Sequence, residues 1–285
     1  MGNPMKQDLQ QLSQTIENIL VARNLRGMQN IQPALQPGYC LRAANLLRDK
    51  TGYILIGTGF PVVDTFETDG PAGAIALYET LEYLGAKPVI VCGQPIVGAL
   101  SSKYRTHEIK VGQHDQREHE AQQALAHYNP DAVVAIERPG QAADGGYYNM
   151  RGENISLRTA CFDTFIKQAK CPTLAIGDGG NEIGMGKVTA ALQELNIVPA
   201  VTSCDELLVA DVSNWGAYGL IAFLSVWHNE DLLARIDPEA MLAYLSGLGS
   251  VDGVTRLNEL TEDGLAPSEG IAVIAEIRQA IGFLN

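Results

Sequence analysis

The chain has 285 residues, of which 46% are hydrophobic and 19% charged, with a formal net charge of -13. That balance is ordinary for a soluble globular protein with a sizeable core, and the negative charge argues against nucleic acid or an anionic membrane as a main partner. Five scattered cysteines (Cys40, Cys92, Cys161, Cys171, Cys204) form no Cys-x-x-Cys pair, so they read as reduced core residues of an intracellular protein. No apolar run reaches transmembrane length and the N-terminus lacks a signal peptide's apolar centre, so a cytoplasmic location is expected.

Leu9, Leu12, Ile16, Ile19 and Leu20 share one face of a helix, and a polar loop with Arg23, Arg26, Gly27 and Gln29 follows. A short helix is expected over 43–48 and a first core strand over 53–57. A polar loop then carries Asp64, Glu67 and Asp69. Gly70-Pro71 opens a helix whose buried face is Ile75, Tyr78, Leu81 and Leu84. The next strand is 88–92. Residues 93–117 are ambiguous, with a short strand expected near Ile109. A helix over 118–128 and a strand over 132–136 lead into Glu137-Arg138-Pro139-Gly140. The loop from Asp144 to Gly152 is rich in Gly, Asn and Tyr, and a loop that long in a compact domain is usually functional. A helix over 159–167 and a strand over 173–176 follow.

The stretch Gly177-Asp178-Gly179-Gly180-Asn181-Glu182-Ile183-Gly184-Met185-Gly186 should turn that strand into a helix bearing Val188, Ala191, Leu192 and Leu195. It matches neither the P-loop nor the dinucleotide fingerprint, and Gly57-Thr58-Gly59-Phe60-Pro61-Val62 also lacks the third Gly of the latter. No nicotinamide or flavin cofactor is therefore expected. In a purely local role Asn181 caps the helix and Glu182 favours its dipole; in a functional role the acidic turn holds a cation. A strand over 206–210 precedes Asp211-Val212-Ser213-Asn214. Helices are expected over 215–227, 238–245 and 268–281, with a flexible joint over 247–253.

Strands alternating with helices imply an α/β fold, a Rossmann-like three-layer sandwich on a mainly parallel sheet. The whole chain, 1–285, reads as one domain with a helical N-terminal segment at about 5–50. The acids Glu67, Asp69, Glu137, Asp178 and Glu182, with Asn214, all follow strands. In open α/β sheets the ligand crevice lies beyond the strands' carboxyl ends. The five histidines, His107, His114, His119, His127 and His228, lie away from these turns, which disfavours zinc; oxygen ligands suit Mg²⁺ or Mn²⁺. There is no Gly-x-Ser-x-Gly turn, so carboxylate acid–base chemistry or metal-assisted chemistry remains.

Five strings occur in order: Thr58-Gly59-Phe60-Pro61, Glu67-Thr68-Asp69-Gly70-Pro71-Ala72-Gly73-Ala74, Tyr147-Tyr148-Asn149-Met150-Arg151-Gly152, Gly177 to Lys187, and Val212-Ser213-Asn214-Trp215-Gly216. With them the chain resembles the D-glutamate cyclase C-terminal domain family. The resemblance implies a lyase that converts D-glutamate to 5-oxo-D-proline and water. Animal members carry a further domain before this one, for which this chain has no room, so the reaction can belong to that half. They are also mitochondrial, whereas nothing here looks like a transit peptide. Beside that chemistry, Asp69, Asp178 and Glu182 are expected to hold the ion or its waters, with Glu67, Glu137 and Glu182 as acid–base residues. Arg138 or Arg151 would pair with the substrate's α-carboxylate, with Asn149, Asn181 and Asn214 also in the binding site. The expected partner is a small molecule, either an acidic amino acid or a phosphate ester. The alternatives are metal-dependent phosphate-ester hydrolysis and a non-catalytic small-molecule sensor, and a homo-oligomer is compatible with the sequence.

Overall fold

The computed structural model describes residues 8–284. Eight strands occur in chain order: β1 (Tyr53–Thr58), β2 (Pro61–Val62), β3 (Thr65–Phe66), β4 (Lys87–Cys92), β5 (Thr106–Glu108), β6 (Ala132–Ile136), β7 (Thr173–Gly177) and β8 (Glu206–Val209). Six of them form one sheet in the order β5-β4-β1-β6-β7-β8, parallel at every pairing, while β2 and β3 make a small hairpin. The fold is thus a three-layer α/β sandwich, as the alternating pattern implies. With the hairpin set aside, the order is that of a doubly wound dinucleotide-binding sheet. β6 and β7 are buried at every residue, so they show no in–out alternation; a parallel sheet covered on both faces demands that. The edge strand β5 is short and partly exposed, which limits edge pairing.

The helix Ser213–His228 is buried at every position from Ser213 to Ser225. A helix apolar all round must be enclosed on all sides. Here it packs against the sheet, against Pro71–Tyr83 and Tyr39–Leu47, and against the outer helices Leu9–Leu20 and Pro267–Ala280. Its crossing with Pro71–Tyr83 is close: a Cβ on Gly73 would lie 2.8 Å from Asn214 Cα, so only glycine fits. The N-terminal segment expected at about 5–50 is helical where described, with residues 5–7 lying outside the described residues; it forms one wall of this enclosure.

Several expectations are corrected. The helix expected over 159–167 starts later, at Asp163–Gln168: Thr159 is extended after a 3-10 turn over Ser156–Arg158, and Phe162 is the N-cap. The strand expected near Ile109 lies at Thr106–Glu108. After β7 no long helix forms. A 3-10 turn, Met185–Val188, leads into one α-turn, Thr189–Leu192, so no helix N-terminus faces the Gly-rich stretch. Among the described residues no helix is long and apolar enough to cross a membrane.

Candidate active site at the carboxyl edge of the sheet

The sheet order reverses at β1, with β4 on one side and β6 on the other, and a crevice opens beyond the strand ends there. The segments leaving β3, β6 and β7 deliver Asp69, Glu137 and Asp178 to it. These three buried side chains each offer a carboxylate oxygen within 4.8 Å of the others; among the described residues it is the one grouping of potential metal ligands this tight.

Asp69 and Asn214 lock two helix starts to each other. Asp69 Oδ1 accepts from Asn214 N (2.8 Å) and Gly70 N (2.8 Å), and Oδ2 accepts from Ser213 N (3.0 Å). The carboxylate therefore satisfies the first free N–H groups of helix Ser213–His228 and sits at its positive end. Asn214 Oδ1 in turn accepts from Gly70 N (2.9 Å) and Gly73 N (2.6 Å) at the start of helix Pro71–Tyr83. Asn214 Nδ2 donates to Glu262 Oε2 (2.7 Å) and Thr68 O (3.3 Å). Expected to bind substrate, Asn214 has its side chain engaged entirely within the protein, and its duty here is to position Asp69.

Glu137 follows β6 with φ 46, and its Oε2 accepts from Ser213 Oγ (2.6 Å). Gly70 passes directly beneath it: at φ 90, a Cβ there would be 2.6 Å from Glu137 Cβ. Asp178 Oδ2 accepts from Arg26 Nη2 (2.5 Å) and Ser213 N (3.2 Å), while its Oδ1 is buried with no hydrogen-bond partner among the described residues. Glu182, expected beside Asp69 and Asp178, instead curls into its own turn and accepts from Gly180 N (2.8 Å). Glu137 takes the third place in the tight grouping, because the turn holding Glu182 pairs back onto 138–140 through Ile183 N to Arg138 O (2.9 Å) and Gly140 N to Asn181 O (2.9 Å).

Arg138 is also corrected. Its guanidinium donates to Thr58 O (3.1 Å), Gly59 O (2.7 Å) and Ala160 O, tying the ends of β1 and β6 to the approach to helix Asp163–Gln168. It is not among the residues lining the acid-lined cavity. Arg151 and Asn149 do line that cavity, on a loop that Asp163 fastens from beneath by accepting from Tyr147 Oη (2.8 Å) and Gln141 N (2.9 Å). Asn181 lines it too, donating to Tyr148 O (3.0 Å), with its Oδ1 lacking a partner among the described residues.

The sequence reading did not single out Arg26 and Asp263 as site residues. Arg26 Nη2 bridges Asp178 and Asp263. It is brought there by Asp211, which accepts from Arg23 N (2.7 Å) and Leu25 N (3.3 Å) and so folds the turn after helix Leu9–Leu20 toward the sheet. Asp263 belongs to the 252–264 loop. That loop is anchored where Thr68 N donates to Val251 O (2.9 Å) and is shaped by buried Asp252, which accepts from Val254 N and Thr255 N (2.8 Å each) and Gly264 N (2.6 Å). Neither a polar loop 150 positions from its partner nor an acidic loop after a glycine joint carries a motif that marks it in one sequence.

The charge balance is one-sided. Glu67, Asp69, Glu137, Asp178, Glu182 and Glu262 are all buried, and the Arg26 guanidinium pairs directly with Asp178 among them. Burial alone would lower the Arg26 pKa, but Asp178, Asp263, Glu137 and Asp69 around it hold it well above its ordinary value. Burial pushes the Asp69 carboxyl up to about 6, with Asp263 adding to the rise. Burial, reinforced by Glu182 and Asp69, pushes Glu137 well above the usual carboxylate range. Glu67 moves the same way through burial and Asp263, and Asp178 through burial despite the opposing pull of Arg26. Buried like charges at this density must share protons or take a cation.

A cavity of about 210 Å³ opens onto this cluster. Glu67, Glu137, Asp263 and Arg26 line it, as do Arg151, Arg158 and Arg256 from more exposed positions. Four of its lining residues other than glycine have positive φ: Val63 (51°), Glu137 (46°), Arg256 (61°) and Asp263 (53°). For a β-branched valine that conformation is an outlier, and strained backbone of this kind concentrates at functional sites.

An α/β sandwich with an acid-floored, arginine-bearing pocket at its switch point is the class this geometry defines. The chain belongs to the family described as D-glutamate cyclase-like, C-terminal, whose sequence model matches residues 16–278. It is 33% identical over 240 residues to the mitochondrial D-glutamate cyclase of Homo sapiens, an alignment that takes in 73% of this chain and 39% of that protein's length. Among solved structures it is similar to an exopolyphosphatase-related protein from Bacteroides fragilis, with 8% identity and a TM-score of 0.44 over 88% of this chain and 62% of that one. A likeness that weak has no bearing on function.

Proposed function

We propose that this chain carries a D-glutamate cyclase-like activity: ring closure of D-glutamate to 5-oxo-D-proline with release of water. The observation that supports it most is the pairing, in one cavity, of the buried Glu67 and Glu137 carboxyls, which burial raises well above the usual carboxylate range, with the more exposed Arg151, Arg158 and Arg256. The reaction moves two protons from the substrate ammonium to the leaving oxygen of the γ-carboxylate. Each transfer needs a group able to hold and release a proton near neutral pH. Glu137 is placed for this, since it lines the cavity and is steadied by Ser213; Glu67 lines the same cavity. Arg151 offers its guanidinium to a substrate carboxylate.

The donor set of Asp69, Glu137 and Asp178 fits Mg²⁺ or Mn²⁺, because it offers oxygens only and leaves the buried Asp178 Oδ1 without a partner among the described residues. When bound, such an ion would make the γ-carboxylate carbon more electrophilic.

The test is turnover by the purified chain, chelator-stripped and then supplied with Mg²⁺ or Mn²⁺, against D-glutamate, L-glutamate and a generic phosphate ester. Formation of 5-oxo-D-proline from D-glutamate is the expected result. Hydrolysis of the phosphate ester alone, or no product from any substrate, would overturn the reading.

A further inference from the structure

The cavity wall contains a carboxylate already seated in a receptor. Glu153 Oε2 accepts from Asn149 Nδ2 (2.7 Å) and from Arg256 Nη2 (3.1 Å), and its Oε1 accepts from the same Arg256 nitrogen (3.2 Å). All three residues line the cavity. Hydrogen bonds from Asn149 and Arg256 hold the Glu153 carboxyl below its ordinary range, so these donors favour the ionised form.

The receptor is built, not incidental. Arg256 is held at φ 61 by a loop whose turn is fixed by the buried Asp252 carboxylate, and Arg256 N itself donates to Asp252 O (2.9 Å). Asn149 is held in turn, its Oδ1 accepting from Arg151 N and Glu153 N (3.0 Å each). The two loops also exchange a second contact, Arg151 Nη2 donating to Val254 O (3.0 Å). Two segments about a hundred residues apart thus hold one carboxylate between them at the edge of an acid-lined cavity.

We propose that Asn149 and Arg256 form the subsite for the non-reacting carboxylate of an acidic amino-acid substrate, and that Glu153 is its internal stand-in, displaced when substrate enters. The proposal rests on the cyclase-like reading for the identity of the substrate, but the subsite itself is defined by a carboxylate. Displacement is easy because the Glu153 and Arg256 side chains are 47% and 31% exposed, and ion pairs that open to solvent are weak. Glu153 regains full hydration when it leaves. Arg151 lines the same cavity, and the cavity's acids attract the ammonium carried on the carbon next to that carboxylate. A strained Arg256 held in place before binding loses little freedom on binding, which favours recognition.

The experiment is calorimetric titration with glutarate, a five-carbon dicarboxylate without the amine, so that binding is read apart from turnover. Glu153→Gln keeps an acceptor for Asn149 but removes the competing charge, and glutarate should bind about two- to fivefold more tightly. Arg256→Gln should weaken binding about ten- to a hundredfold. In the double variant the Glu153→Gln gain should vanish, leaving the affinity of Arg256→Gln alone. With D-glutamate, Glu153→Gln should lower KM. Glutarate binding that is unchanged or weakened by Glu153→Gln, that survives Arg256→Gln intact, or that is absent throughout would overturn the subsite. Absence of turnover beside the expected glutarate pattern would instead overturn the cyclase-like reading and leave the subsite standing.

Discussion

Arg26 Nη2 lies 2.5 Å from Asp178 Oδ2, joining residues 152 positions apart at the centre of the acidic cluster. Removing the guanidinium leaves buried carboxylates without compensation. Arg26→Gln should destabilise the protein at pH 8 by about 2–3 kcal/mol, somewhat below the figure for a fully buried pair because a fifth of the Arg26 side chain is exposed. At pH 5 the loss should shrink, since the carboxyls can take up protons instead. Urea denaturation at the two pH values checks this; an equal loss at both would mean that Arg26 acts through packing alone.

Asp178→Asn probes the opposite charge. It relieves repulsion with Glu137 and Asp69 while Asp263 remains to pair with Arg26. Stability at pH 8 should be unchanged or raised by up to about 2 kcal/mol, and Mn²⁺ affinity should fall at least about tenfold. A less stable protein with undiminished Mn²⁺ binding would place Asp178 in local turn structure only.

Arg138→Met separates a structural arginine from a binding one. Three backbone carbonyls would lose their donor, and stability should fall by about 3 kcal/mol, with the KM of the remaining folded protein unaltered. A raised KM without loss of stability would restore Arg138 to the binding site.

Glu262 and Asp69 give the pH dependence of stability a definite sign. Burial, followed by neighbouring groups, moves Glu262 from an ordinary 4.5 to about 7 and Asp69 from 3.8 to about 6. The folded protein therefore keeps protons that the unfolded chain has lost. Their contribution is fully present below about pH 4 and is lost as pH rises through 6 to 7, by roughly 3 kcal/mol from Glu262 alone. Denaturation midpoints from pH 4 to 8 in chelator should fall across this window. A rise would show that the carboxylates are ionised and compensated.

The sheet was readable because five of its six strands are short apolar runs followed closely by glycine or an acid, and the parallel arrangement follows from the intervening helices; the sixth, β5, is Thr-His-Glu and carries no such signal. The convergence of Glu137 and Asp178 was readable for the same reason, because parallel strands end at one edge; Asp69 joins them from the loop after β1, at one remove through the β2–β3 hairpin. What a single sequence hid was direction. Asn214 and Arg138 sit where binding residues belong, yet backbone groups around Gly70 and Gly59 claim them. Arg26 was hidden because its place depends on Asp211 folding a turn from the other end of the chain, and no local spacing encodes that contact. After β7 the expected long helix is replaced by a left-handed Gly184 (φ 98), a 3-10 turn and one α-turn, a backbone path that the apolar spacing alone does not encode.

The most direct measurement is the rate of 5-oxo-D-proline formation from D-glutamate by the wild-type chain and by Glu137→Gln, with folding of both verified and glutarate affinity measured alongside. If Glu137 exchanges the protons of ring closure, the rate should fall about a hundred- to ten-thousandfold, with glutarate affinity nearly preserved. Equal rates in the two proteins, or a wild-type chain that forms no 5-oxo-D-proline with either metal, would contradict the account.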